Sequence, residues 1–248
     1  MELGKVPNPM ALTLATPVSE IELVPGSAIR LKEVSWPRYL ALLQELGEDR
    51  GTRLMYSYGT LEIRTPGQLH EVINRVLAAI ILTLADSLGL ELNNLGSATL
   101  NRPDLARGIE PDSCFYIQNA IAGQGVAAPT SLPPDLAVEV DIANSFDSKL
   151  PIYEAMGVAE VWLYREETLT IKALQAEGYA DVASSVAFKG VSAAQLNEWI
   201  GLRRSGTDLT VVKAVRAALE SGAYVRSHIS LLAVLCPIPT KRFMTTAR

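Results

Sequence analysis

The sequence predicts a mixed α/β (α+β) domain, and three stretches carry that prediction. Arg53-Leu54-Met55-Tyr56-Ser57-Tyr58-Gly59-Thr60-Leu61-Glu62-Ile63-Arg64 has aromatic and apolar residues on two short arms with Gly59 near the bend, the pattern of a β-hairpin. From about His70 to Leu88, Ile73, Val76, Leu77, Ile80 and Leu84 recur at helical spacing, and Gly89 closes the segment. Leu136-Ala137-Val138-Glu139-Val140-Asp141 is a short run of strand character, followed by a helical segment and a second hairpin.

Taken in order, the first 28 residues hold Pro7, Pro9, Pro17, Pro25 and Gly26 without a sustained period, and read as a flexible arm over residues 1–28. A helix opens at Ser35-Trp36-Pro37, with Ser35 as N-cap and Pro37 in the first turn, and stops near Gly47. After the first hairpin and the long helix, strand-like pieces fall at Leu90–Leu95, Ala98–Leu100 and Ile109–Ile117. Gln118 to Pro134 is a loop rich in Gly, Ala, Pro and Thr, long enough to serve a function. The strand bearing Glu139 precedes a helix over Asp147–Met156 that ends at Gly157. Glu160–Tyr164 and Leu169–Leu174 form the second hairpin, joined by a strand at Asp181–Val186. Val191–Ile200 and Leu209–Leu219 are helical. The segment from Ile229 onward is apolar, broken by Pro237 and Pro239, and ends with Lys241, Arg242 and Arg248. The folded domain is therefore placed at residues 29–205, and a C-terminal helix and tail at 206–248.

Composition narrows the function. Hydrophobic residues make up 48% of the 248-residue chain, yet they are spread through periodic segments. The longest apolar runs, Ala78–Leu82 and Leu231–Cys236, fall far short of the roughly 20 residues needed to span a bilayer. The N-terminus lacks the basic and apolar regions of a signal peptide, so a cytoplasmic protein with no membrane partner is expected. Two cysteines, Cys114 and Cys236, do not make a disulfide framework, and two histidines cannot build a His-rich zinc site. Any metal is therefore held by oxygen. A net charge of −5 excludes a protein that coats nucleic acid non-specifically, but not an enzyme with one local basic patch.

The chemistry centres on Ile109-Glu110-Pro111-Asp112 and, 27 residues beyond Asp112, on Glu139. In a strand, the Glu139 side chain leaves the face opposite Val138 and Val140. A carboxylate in a buried strand needs a cation to compensate it. Two such carboxylates on neighbouring strands make a site for a hard divalent cation, Mg²⁺ or Mn²⁺. The bland alternative is a turn aspartate and an edge-strand glutamate facing water.

The run Glu139-Val140-Asp141-Ile142-Ala143-Asn144-Ser145, continued by Pro151-Ile152-Tyr153-Glu154-Ala155-Met156-Gly157-Val158-Ala159-Glu160-Val161-Trp162, closely resembles the Uma-two family of restriction-endonuclease-like nucleases. Gly59, Leu61, Glu62, Ile63, Pro66 and His70 look like the family's opening, Glu110-Pro111-Asp112 like its central motif, and Gly178-Tyr179 with residues 184–199 like its closing strand and helix. The resemblance covers about residues 36–200. It implies a restriction-endonuclease-like mixed sheet flanked by helices, Mg²⁺-dependent phosphodiester hydrolysis and a DNA substrate, with a homodimer as an admissible assembly. It implies metal-ligand roles for Asp112 and Glu139.

One departure from the wider superfamily matters. Its motif sets a lysine two residues after the glutamate, and here that slot holds Asp141. The nearest lysine is Lys149, on the following helix, which packs over the sheet and can reach the same pocket from another direction. Lys149 is the candidate for the displaced catalytic lysine, as against a solvated residue paired with Asp147 or Glu154. Asp141 is either a further metal ligand or a partner for Lys149. Glu62, His70 and Glu71 lie where the hairpin meets the long helix, placed either to orient water and ligands or to meet free backbone amides of the helix start. Arg102 and Arg107 flank the approach to Asp112 and are candidates for phosphate contacts, or ordinary surface arginines. The competing function is a nuclease-like module that binds DNA or protein without cleaving; a weaker third is a structural partner docking through its apolar tail.

Overall fold

The computed structural model describes residues 20–47, 50–120, 132–141 and 146–221. The expected tail from Ile229, most of the 1–28 arm and the middle of the 118–134 loop lie outside these residues.

Two sheets form the framework. Strands β1 (Ala28–Leu31), β2 (Arg53–Ser57), β3 (Thr60–Arg64), β5 (Leu100–Arg102) and β6 (Arg107–Ile109) make a five-stranded sheet in the order β1-β3-β2-β6-β5. Strands β4 (Asn93–Gly96), β7 (Ser113–Tyr116), β8 (Leu136–Asp141), β9 (Glu160–Arg165), β10 (Thr168–Gln175) and β11 (Gly178–Val182) make a six-stranded sheet in the order β11-β10-β9-β8-β7-β4. Among the described strands only β8 and β9 pair in parallel. Their crossover carries helix α3 (Leu150–Met156), as a parallel pair requires. The β2–β3 hairpin turns at Tyr58 and Gly59, both at positive φ, as a two-residue turn demands.

Helix α1 (Trp36–Leu46) starts where expected: the Ser35 side chain accepts from Arg38 N, and Gly47 closes the other end. It covers the outer face of the smaller sheet, burying Tyr39 and Leu42 against Leu54, Tyr56, Leu61 and Ile63. Helix α2 (Gln68–Leu88) begins two residues before His70 and ends on left-handed Gly89. With α4 (Ala193–Gly201) and α5 (Asp208–Glu220) it covers one face of the larger sheet. Val138 and Val140 of β8, Trp162 of β9, Trp199 of α4, and Val211 and Val215 of α5 share that core, so the helix beyond residue 205 packs on it.

Several strand expectations need correction: the piece at Leu90–Leu95 is β4 at Asn93–Gly96, that at Ala98–Leu100 is β5 at Leu100–Arg102, and that at Asp181–Val186 is β11 at Gly178–Val182. A single strand over Ile109–Ile117 is in fact β6 and β7, in different sheets, with Glu110-Pro111-Asp112 between them. Pro111 has no N–H to give a ladder, so the chain leaves one sheet there and enters the other. Strand β1 lies at the edge of the arm and was not foreseen; its four residues pair with Leu61–Arg64.

Candidate active site

The break at Pro111 sets the geometry of the site. Ser113 pairs with Val138 in the antiparallel β7–β8 ladder, so one step outward Asp112 stands beside Glu139. Along β8, Val138 and Val140 enter the core under α2, while Ala137 joins a second cluster with Ile152, Tyr153 and Met156 of α3. Glu139 therefore faces α3, as its alternation with the valines predicts. Both carboxylates are buried, Glu139 fully.

Four elements deliver partners to this pair. Arg64, the last residue of β3, donates from Nη2 to Asp112 Oδ1 at 2.5 Å and to Glu139 Oε2 at 3.3 Å. Since both oxygens meet one nitrogen, their separation cannot exceed the sum of those contacts, within the roughly 6 Å that sharing one cation demands. Lys149, just ahead of α3, donates from Nζ to Glu139 Oε2 at 2.5 Å and is itself buried. Tyr153, one turn further on, donates its hydroxyl to Glu139 Oε1. His70 of α2 holds Asp112 Oδ2 through Nε2 at 2.8 Å, and the Val140 amide donates to the same oxygen at 2.7 Å. An ionised carboxylate only accepts, so His70 Nε2 carries the hydrogen. Asn74, one helical turn after His70, donates to the Asp112 carbonyl and accepts from the Ser113 hydroxyl. All four carboxylate oxygens thus have hydrogen-bond partners.

The electrostatics separate the two acids. Burial pushes the Asp112 carboxyl up, but Arg64, His70 and Lys149 outweigh it and hold it well below the usual carboxylate range. For Glu139 burial wins: its carboxyl is raised, because Lys149 and Arg64 offset desolvation only in part and Asp112 adds repulsion. Burial and the neighbouring Glu139 raise the Tyr153 phenol, keeping it a donor.

The donor set fits a hard divalent cation: two carboxylates in reach of each other and no sulfur. A guanidinium nitrogen already lies against both, showing that the geometry between them suits positive charge. Among the described residues no group of three or more His, Cys, Asp or Glu is arranged to hold a metal. A cation here would rest on Asp112 and Glu139, completing its shell with water and substrate oxygens, as Mg²⁺ commonly does.

The other residues singled out in the sequence are dispersed around this centre. Asp141 is buried at the end of β8, with Arg165 Nη1 at 3.7 Å; the Lys149 ammonium goes to Glu139. Glu62 shares the β3 face of Arg64 but pairs with Arg30 at 2.7 Å. Glu71 Oε1 lies 3.7 Å from His70 Nδ1. Arg102 is paired with Asp104, and Arg107 donates to the Pro151 carbonyl while covering the Tyr58 ring, so both are engaged away from the carboxylates. Glu110 turns into the smaller sheet, where Arg50, Thr99 and the Leu54 amide hold it. Arg64, Tyr153 and Asn74 are the contacts that sequence reasoning missed. A cavity of about 330 Å³ opens beside the pair, lined by Arg64, His70, Asp141 and the first turn of α2.

A lysine-paired acidic couple buried at the junction of two sheets is a candidate active site. The chain belongs to the Uma2 family: the family model described as "Putative restriction endonuclease" matches residues 36–210, and with it comes the restriction-endonuclease-like fold class. Among solved structures, the chain is similar to one from Anabaena variabilis ATCC 29413 described as a putative nuclease belonging to DUF820. That similarity has 16% identity and a TM-score of 0.48, and covers 67% of this chain and 99% of the other. No curated protein matches the chain. Among the described residues no helix is long and apolar enough to cross a membrane.

Proposed function

We propose that this protein is a magnesium-dependent endonuclease that hydrolyses phosphodiester bonds in DNA. The observation that carries the reading is the meeting of Asp112, Glu139 and Lys149, from three separate chain segments, in one buried hydrogen-bonded network.

In this reading Asp112 and Glu139 hold Mg²⁺ or Mn²⁺. When bound, such a cation supplies charge neutralisation at the phosphate and makes water a better nucleophile at neutral pH. Tyr153 fixes one oxygen of Glu139, and His70 with the Val140 amide fixes one of Asp112, so both carboxylates are pre-oriented. Lys149 sits at Glu139 Oε2, where its ammonium orients the attacking water and stabilises charge growing on the phosphoryl oxygens. The short, buried path from α3 replaces the strand lysine whose slot Asp141 holds.

The test is nicking of supercoiled plasmid with Mg²⁺ or Mn²⁺. Wild type should nick, Asp112→Ala should not, and Lys149→Ala should be slower by ~10² or more. Lys149→Arg should recover only part of the rate, because a planar fork cannot place a point charge at the same spot. Wild-type rates in Lys149→Ala would remove Lys149 from the chemistry.

A second reading, a nuclease-like module that binds DNA without cutting it, is favoured by one feature. Arg64 and Lys149 already compensate both carboxylates without any metal. Salt-dependent retention of DNA in Ca²⁺, with no nicking in Mg²⁺ or Mn²⁺, would select it.

A further inference from the structure

We propose that Arg64 has two places: between Asp112 and Glu139 when the carboxylates hold no metal, and in the adjoining cavity, against a backbone phosphate of the nucleic acid, when they do. The proposal rests on the metal-centre reading above.

Arg64 ends β3, and its Nη2 touches both carboxylates. That is where a shared cation must sit. A guanidinium and a divalent cation cannot use the same two oxygens: their contact spheres overlap, and two positive charges at about 3 Å repel strongly in a buried site. Lys149 and His70 are different, because each reaches its carboxylate from outside the gap and need not leave. Arg64 is also the partner with a way out. Its side chain is 13% exposed, against 2% for Lys149 and 6% for His70. It lines the 330 Å³ cavity beside the pair, together with the first turn of α2, which Gly67 leaves without a capping side chain. An arginine turned into that cavity would find no carboxylate there to match its Asp112 contact except Asp141, whose neighbour Arg165 stands at 3.7 Å. A phosphate brought by substrate suits the fork. The exchange couples metal loading to substrate grip: one cation enters and one arginine is released.

Three measurements, none of them cleavage, test this on the full chain. Mn²⁺ titration by calorimetry should show Arg64→Gln binding at least ~10-fold tighter than wild type, since no guanidinium competes. In wild type, phenylglyoxal should modify Arg64, read by peptide mass, faster with Ca²⁺ than with EDTA; this needs no variant to fold. In Ca²⁺, Arg64→Gln should hold duplex DNA more weakly than wild type, with a salt slope shallower by about one. Equal Mn²⁺ affinity in the two proteins, or Arg64 reactivity unchanged by Ca²⁺, would overturn the displacement. Tighter Mn²⁺ binding with unchanged DNA retention would overturn the phosphate contact. If wild type and Arg64→Gln both fail to take up Mn²⁺, the metal centre itself falls, and this inference with it.

Discussion

Replacing Lys149 with methionine tests the site as a piece of folded structure, apart from any chemistry. The ammonium is buried and lies 2.5 Å from Glu139 Oε2. Removing one member of a buried ion pair typically costs ~3–5 kcal/mol, because the other charge stays in place without compensation. Glu139 keeps Arg64 at 3.3 Å and the Tyr153 hydroxyl, so the expected loss is at the low end, about 3 kcal/mol. For a chain of this size that lowers Tm by ~6–12 °C. The loss should depend on pH with a definite sign. Burial raises the Glu139 carboxyl in the folded state, and loss of Lys149 raises it further. A raised folded pKa contributes stability that is present below the unfolded value and is lost as pH rises through the folded value. Lys149 also helps to hold the Asp112 carboxyl low, but the larger contribution of Arg64 and that of His70 remain in the variant. Urea unfolding with EDTA should therefore show a larger penalty at pH 8 than at pH 5. Adding Glu139→Gln to Lys149→Met should recover ~1 kcal/mol or more at pH 8, since the stranded charge is gone. A penalty under ~1 kcal/mol at pH 8, or one equal at the two pH values, would show that the pair is not the buried contact argued above.

Glu160→Ala should destabilise the fold by ~3 kcal/mol or more without altering Mn²⁺ affinity, because Trp162 Nε1, the Ser185 hydroxyl and the Val186 and Ala187 amides all donate to that one buried carboxylate; urea unfolding and calorimetry check the two halves. Gly108→Ala should lower Tm by several degrees, since a Cβ on β6 would collide with the Tyr39 hydroxyl and Asn101 Oδ1, which bond to each other at 2.9 Å; combining it with Tyr39→Phe should recover only part of the loss, as Asn101 remains. Cys114 should stay unalkylated by iodoacetamide at pH 8 in native protein and react in urea, because burial pushes its thiol up to about 12; peptide mass spectra distinguish the states.

Much of the fold was legible because local patterns and tertiary packing agree. Helix α1 begins at the Ser35 cap and stops at Gly47, helix α2 follows the 3.6-residue spacing of its apolar positions, and the β2–β3 hairpin turns at Gly59. The errors fall where local pattern is silent about which sheet a segment joins. Residues 109–117 are apolar enough for one strand, but Pro111 cannot donate to a ladder, and the chain changes sheets there. Strand β1 is four residues long with an alternation of exposed and half-buried positions, and it gains its order by pairing with β3 and by packing Ile29 and Leu31 against the cluster under α1. Nothing in residues 28–31 announces that partner.

The site divides along the same line. Glu139 was readable because a carboxylate among valines is costly unless compensated, and Lys149 because it is the nearest lysine on a helix that must pack over the same strand. Arg64 was not. By position it ends a hairpin as a solvated strand arginine would, and its contacts to Asp112 and Glu139 are 48 and 75 residues distant along the chain. Tyr153 read as core and is core, yet its hydroxyl also reaches Glu139, a second role invisible to hydrophobic periodicity. The sum of charges points to the gap. Two buried carboxylates and a single nearby lysine leave the centre negative, so without metal a further cation had to come from some other strand. The hairpin that feeds α2 was the element able to bring it, and Arg64 is the cationic residue at its end.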